Sequence, residues 1–174
     1  MNETAIQEAT LADVMTIHRL ANEIWWPTYH DLLPHGQIKL MLELMYSESA
    51  LLNQLKNGQQ FALAMRDETP VGFVGFQIKP DSPVTRIEKL YVLPSEQGKG
   101  SGKRLINYVA ALALATNTRC LELNVYRHNP AKAFYERQGF RVVAEVKIPY
   151  HGYTLKDYVM QKPLSFLFGG DAKQ

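Results

Sequence analysis

The chemistry in this chain is concentrated between residues 88 and 140. Gln97-Gly98-Lys99-Gly100-Ser101-Gly102-Lys103 is a short polar, glycine-rich turn ahead of a helical pattern. Such a turn presents successive backbone N–H groups at a helix N-terminus, where the helix dipole favours an anion. Glu88 lies upstream in an apolar stretch, where alternation would set it on the face of Leu90 and Val92. Partial burial there would raise its pKa and suit it to accept a proton. Downstream, Asn129-Pro130 opens a helical segment containing Tyr135. Asn129 has the chemistry of an N-cap, and Ala131, Phe134 and Tyr135 form an i, i+3, i+4 stripe that by itself reads as core packing. The turn is not a Walker A loop, because Arg104 follows Gly102-Lys103 and Gln97 stands at the upstream glycine position. Nor is it a dinucleotide fingerprint, since Lys occupies position 103. From these residues alone it could hold a phosphate or merely cap a helix.

The elements that must position these groups follow from periodicity. Residues 5–9 read as a strand, and Thr10 with Asp13 caps a helix that Pro27 should end near Trp26. Helical patterns follow over 38–46 and, capped by Ser47, over 48–56. Strand patterns occupy 60–66 and 71–79, joined as a hairpin, and then 84–93. The loop 97–102 leads into a helix over 103–115, a strand over 118–125 and a short helix closed by Gln138-Gly139. Strands over 140–150 and 153–162 complete the order, with a turn at His151-Gly152 and a tail over 165–174. This is one mixed α/β domain, residues 1–164, with antiparallel hairpins and strand–helix–strand crossovers.

Gln97-x-x-Gly100-x-Gly102 after Leu-Tyr-Val-x-Pro resembles the acetyl-CoA pyrophosphate signature of the GNAT superfamily of N-acetyltransferases. The segment from Asn124 through Asn129-Pro130-Ala131, Phe134-Tyr135 and Gly139-Phe140 is similar to that superfamily's second motif. The ending Asp157-Tyr158-Val159-Met160-x-Lys162 resembles its bacterial polyamine acetyltransferase branch. The resemblance implies a mostly antiparallel sheet of about seven strands whose central parallel pair is splayed. It implies direct acetyl transfer from acetyl-CoA to a primary amine of a small molecule, a polyamine or amino compound. A peptide amine, or a coenzyme A-binding sensor without turnover, is the alternative. It also implies backbone of Gly98, Lys99, Gly100, Ser101, Gly102 and Lys103 on the pyrophosphate, with Gln97 where the family usually has Arg. Leu90, Tyr91 and Val92 would lend backbone to the pantetheine arm and the thioester oxygen, joined by Asn124 and Asn129. Glu88 would be the base, directly or through water, and Tyr135 the acid at the sulfur. Asn124, neutral where some relatives carry a Glu, leaves that base role to Glu88. Trp26, Tyr29, Tyr150 and Tyr153 would shape the acceptor site.

Composition bounds the rest. The 174 residues are 46% hydrophobic and 21% charged with a net charge of +2, and no block of cations marks a nucleic-acid surface. Five histidines and Cys120 have no metal-ligand spacing, so no metal is expected, and Cys120 reads as a buried, inert thiol. The acidic N-terminus has no signal-peptide core and no apolar run is long enough to span a bilayer, so a cytoplasmic protein without membrane partners is expected. Phe166-Leu167-Phe168 in the tail leaves a homodimer contact open.

Overall fold

The computed structural model describes residues 3–165. The end of the tail, with Phe166-Leu167-Phe168, lies outside them. Seven strands form one sheet in the order β1-β2-β3-β4-β5-β7-β6. They are β1 (Ala5–Glu8), β2 (Gln60–Arg66), β3 (Thr69–Gln77), β4 (Val84–Val92), β5 (Cys120–Tyr126), β6 (Arg141–Tyr150) and β7 (Tyr153–Pro163). Neighbours pair antiparallel except β4 and β5. The helices are α1 (Val14–Tyr29), α2 (His35–Tyr46), α3 (Glu48–Lys56), α4 (Ser101–Leu114) and α5 (Ala131–Arg137). Alternation along β2 divides the core: Phe61 and Leu63 pack with α1, α2 and α3 on one face, Ala62 and Ala64 with α4 on the other. No helix among the described residues is long and apolar enough to cross a membrane.

Local chemistry explains most boundaries. Thr10 and Asp13 form a reciprocal capping box on a short 3₁₀ turn before α1. Ser47 Oγ accepts from Ala50 N–H at 3.2 Å and starts α3. Asp67 and Glu68 make the β2–β3 turn in two residues at φ 49° and 65°.

Pro27 does not end α1, which runs on to Tyr29. Proline inside a helix costs about 3 kcal/mol. Against that, Trp25 and Tyr29, one turn apart, are both buried with ring centroids 4.6 Å apart. The Thr28 hydroxyl also donates to the Ile24 carbonyl at 2.7 Å. Burial of the aromatic pair carries the helix through its proline and delivers Tyr29 to the sheet.

β4 contains the decisive irregularity. Its pairing with β3 shifts between Gly75↔Lys89 and Phe76↔Ile87, so Glu88 is the extra residue of a β-bulge. Parallel pairing with β5 covers only Val84↔Cys120, Thr85↔Leu121 and Arg86↔Glu122. Beyond that point the strands part, while β5 stays paired to β7 as far as Tyr126↔Asp157.

The loop after β4 is anchored from below. Glu96, 7% exposed, accepts from Arg66 Nε at 2.7 Å. Arg66 also donates to Thr4 Oγ1 at 2.9 Å, and Thr4 shares a 2.9 Å hydrogen bond with the buried Ser101 hydroxyl. Removing one member of such a pair leaves a buried charge uncompensated. Glu96→Ala should therefore lower unfolding free energy by about 3 kcal/mol in urea titrations. A loss under about 0.5 kcal/mol, the range of an ordinary surface substitution, would show that Glu96 does not anchor the loop.

Candidate active site

A cavity of about 840 Å³ occupies the fork between β4 and β5 and continues to the start of α4. Its wall includes Glu88, Leu90, Tyr91 and Val92 of β4, Asn124 of β5, Asn129, Tyr135, and Gln97, Gly98, Gly100, Ser101, Gly102 and Lys103. The two motifs separated in sequence therefore share one space. Within it, the gap-facing N–H and C=O groups of β4 beyond Arg86 have no strand partner.

The glycines of the turn serve different ends. Gly98 and Gly100 stand at φ 79° and 87°, which few other residues adopt, and a Cβ at either would meet nothing. Gly102 is constrained by contact instead, since a Cβ there would come 2.9 Å from Phe134 Cζ of α5. Gly100 caps α4 without a side-chain hydrogen bond. The first backbone bond of the helix is Arg104 N–H to Gly100 C=O at 3.1 Å. Thus Ser101, Gly102 and Lys103 keep N–H groups that the helix does not use. The Ser101 hydroxyl is spent on Thr4, so only its backbone is offered. Lys99 departs from expectation: it lies 3.7 Å from Glu96 and is absent from the cavity wall. Lys103 faces the cavity, and after burial its charge helps to lower the pKa of Lys162.

Glu88 is on the wall but does not share the face of Leu90 and Val92 that alternation had implied. Its side chain is 33% exposed and its carboxylate lies 3.5 Å from Arg86 Nε. The bulge is the reason. Leu90 and Val92 pack with α4, whereas Glu88 falls outside their alternation. Tyr135 is buried, with its ring 5.7 Å from Phe140, and burial pushes its hydroxyl far above the ordinary value, so it stays protonated. Packing and a place on the wall coexist at this residue.

Asn129 caps α5 with its side chain, not only its backbone: Oδ1 accepts from Ala131 N–H at 2.9 Å. Its Nδ2 donates to the Tyr29 hydroxyl at 3.2 Å, which in turn shares a 3.0 Å bond with Tyr91. Among the expected acceptor aromatics only Tyr29 reaches the cavity. Trp26 packs edge-on to His35 at 5.7 Å, and the Tyr153 hydroxyl lies against Gly36 of α2. Tyr150 packs on the α1–α2 side of the core. These three pack against α1, α2 and the hairpin, while Trp25 and Tyr29 of α1 both line the cavity.

Three residues were not legible as site residues. Arg86 donates to Glu122 at 2.8 Å and to Asn124 Oδ1 at 2.6 Å, closing the base of the fork. Asn124 then donates to Asp157 at 3.4 Å, so its amide is held by side chains of β4 and β7. Asp157 lies on the wall, and burial raises its pKa despite Asn124 and Arg86. Lys89 is 8% exposed, donates to Gln59 at 2.8 Å and lies over the rings of Tyr46 and Phe61. Among the described residues no carboxylate lies within ion-pair distance of it, and burial lowers its pKa from 10.5 to about 8. No group of three or more potential metal-ligating side chains occurs among the described residues.

A model of the acetyltransferase (GNAT) family matches residues 18–140. The spermidine N(1)-acetyltransferase of Thermoplasma acidophilum is 27% identical over 145 residues, covering 79% of this chain and 88% of the relative. The PaiA N-acetyltransferase from Thermoplasma acidophilum, solved with coenzyme A, superposes at TM-score 0.77 with 25% identity, covering 92% of this chain and 99% of that one. A GCN5-related N-acetyltransferase from Rhodopseudomonas palustris shares the fold at TM-score 0.80 and 22% identity, covering 94% and 98%. The chain thus belongs to the acetyltransferase (GNAT) family, and its activity is that of an acetyl-CoA-dependent acetyltransferase. The cradle fits acetyl-CoA on its own terms: unused N–H groups, two left-handed glycines and an unpaired β4 edge line one cavity.

Two outcomes follow. Gly100→Val must strain a left-handed position by roughly 1–2 kcal/mol or turn its N–H aside. Its Kd for coenzyme A, by calorimetry, should rise about 10-fold. Unaltered affinity in a folded variant would contradict the cradle. For Lys89, the unfolded chain keeps its proton up to 10.5 and the folded chain releases it near 8. Lys89 therefore lowers stability below that window, and stability should rise with pH across it. Lys89→Met should remove that rise in chemical denaturation; a rise that persists would place its origin elsewhere.

Proposed function

We propose that this acetyltransferase transfers acetyl directly to a primary amine of a small cationic molecule, a polyamine or amino compound. The observation that carries this reading is the cavity itself: one end is a backbone anion cradle, and the fork holds the carboxylates of Glu88 and Asp157. The wall also carries Arg86 and Lys89, and Arg86 holds Glu88, so it is the Asp157 carboxylate, with no cation in ion-pair distance among the described residues, that would attract an acceptor positively charged in water. The spermidine N(1)-acetyltransferase among the relatives supports the same acceptor class.

Acetyl-CoA supplies an activated acyl carbon and a sulfur leaving group. The backbone of Gly98, Gly100, Ser101, Gly102 and Lys103 would hold its pyrophosphate, and the free β4 edge at Leu90–Val92 would hold the arm and the thioester oxygen. Glu88, beside the fork and open to water, would accept a proton from nitrogen, directly or through water. Tyr135, kept protonated by burial, would give a proton to sulfur. Tyr29 would line the acceptor end. The reading carries a cytoplasmic location, where acetyl-CoA is available.

The test is release of coenzyme A thiol across polyamines, amino acids, aminoglycosides and basic peptides. Turnover is expected with small amines and should be weakest with peptides. Acetyl-CoA binding without turnover on any amine would instead favour a sensor. Tyr135→Phe should lower kcat by about 10²-fold with little change in acetyl-CoA affinity. Full turnover would reduce Tyr135 to a packing residue.

A further inference from the structure

The proposed acceptor arrives as an ammonium and sheds two protons. One must leave before nitrogen can attack, and the second leaves as the amide forms. The C–N bond forms with the nitrogen lone pair, the C–S bond breaks, and sulfur takes the Tyr135 hydroxyl proton. Tyr135 is reprotonated by one of the two protons from nitrogen, and the other goes to solvent. Glu88 provides one acceptor for these protons, and the cavity holds a second carboxylate in a different setting.

Asp157 belongs to β7, across the fork from Glu88, at the last residue pair between β5 and β7. Its orientation is fixed through two residues. Arg86 can only donate, so the Asn124 atom it meets at 2.6 Å must be the amide oxygen. The Asn124 NH₂ group is thereby turned to Asp157 Oδ2 at 3.4 Å. Among the described residues no other side chain donates to Asp157, and no cation lies within ion-pair distance of it, whereas Glu88 is held by Arg86. The other groups around Asp157 are Tyr29 of α1, whose pKa it helps to raise, and Arg127, Glu145, Lys147, Lys156 and Tyr158, which together with Asp157 line a second recess. The carboxylate is half-buried, and desolvation raises its pKa more than Asn124 and Arg86 lower it.

We infer that Asp157 binds the acceptor ammonium and takes its first proton, with Asn124 and Arg86 as positioning residues, leaving Glu88 to take the second. This rests on the amine acetyltransferase reading above. Glu88 then acts where the amide forms, at the β4 edge, and Asp157 acts earlier.

The experiment compares pH profiles of kcat/KM for the amine best used by the wild-type full chain, with Asp157→Asn, Asp157→Glu and Glu88→Gln. Asp157→Asn should lose about 10²-fold on the acid side. The loss should close as pH rises toward the pKa of the free amine, because solvent then supplies the neutral nucleophile. Asp157→Glu should recover part of the rate, and Glu88→Gln should lose rate while keeping the acid limb. A readout without turnover is the ¹³C carboxyl titration of the wild-type protein. The resonance missing in Asp157→Asn should titrate above the ordinary aspartate range and shift on adding spermidine. A parallel Asp157→Asn profile, or a carboxyl with ordinary titration and no response to spermidine, overturns the inference and leaves the acetyltransferase reading intact. If wild type acetylates no amine, that reading fails and takes this one with it. Should Asp157→Asn not fold, as judged by melting and coenzyme A binding, Asp157→Glu supplies both the profile and the assignment.

Discussion

The site depends on the parting of β4 from β5. Two neighbouring parallel strands that stop pairing after three residue pairs leave backbone groups exposed to the gap, and each such group left buried and unmet costs about 1–3 kcal/mol. Something must hold the strands apart on both sides. On one side β4 remains paired to β3 up to Gly72↔Val92, and on the other β5 remains paired to β7 up to Tyr126↔Asp157. The bulge at Glu88 begins two residues past the last shared pair and turns β4 away. Arg86 sits at the crotch and bonds to Glu122, Asn124 and Glu88, so its one charge ties together the base of the fork. The backbone groups beyond it are left for a ligand.

Around the fork, buried polar groups are joined across elements. Tyr29 of α1, Tyr91 of β4 and Asn129 at the head of α5 form one hydrogen-bonded chain, which ties the end of α1, the open strand and the second motif together. Lys89 is the counterexample. It is buried with an amide and two rings for company, and its desolvation opposes folding near neutral pH. Its neighbour in sequence is the bulged residue, so the irregularity that opens the site also directs a lysine into the core.

The parts legible in the sequence are those set by local chemistry. The Ser47 cap gives α3, alternation gives Gln60–Arg66, and His151-Gly152 gives the last hairpin turn with both residues at positive φ. The two cofactor motifs are likewise local, and the fold unites them. What was hidden depends on distant partners. Pro27 is a breaker by its own geometry, but it is overruled by where Trp25 and Tyr29 are buried. Glu88 follows alternation on paper, yet a bulge is a property of two strands, visible only in their register. Asp157 stands in a motif of the sequence but has no visible role until β5 brings Asn124 beside it. Trp26 and Tyr153 have the composition of a binding wall and instead pack against α2.

The same distinction bears on how the anion cradle works. Gln97 brings no charge, Lys99 is drawn to Glu96, and Lys103 contends with Lys162. Side-chain charge is thus a minor asset at this end of the cavity. What remains is geometry: three unused N–H groups at the head of α4, set by Gly100 in the left-handed region and by Gly102 under the Phe134 ring. That geometry is useful only if it is rigid. The buried Glu96–Arg66 pair, with Thr4 and Ser101, fixes the loop to the β1–β2 edge of the sheet, far along the chain from the motif it supports. A cradle made of backbone discriminates by the shape and spacing of the anion more than by its charge. It therefore suits a pyrophosphate attached to a long arm that the forked sheet can align.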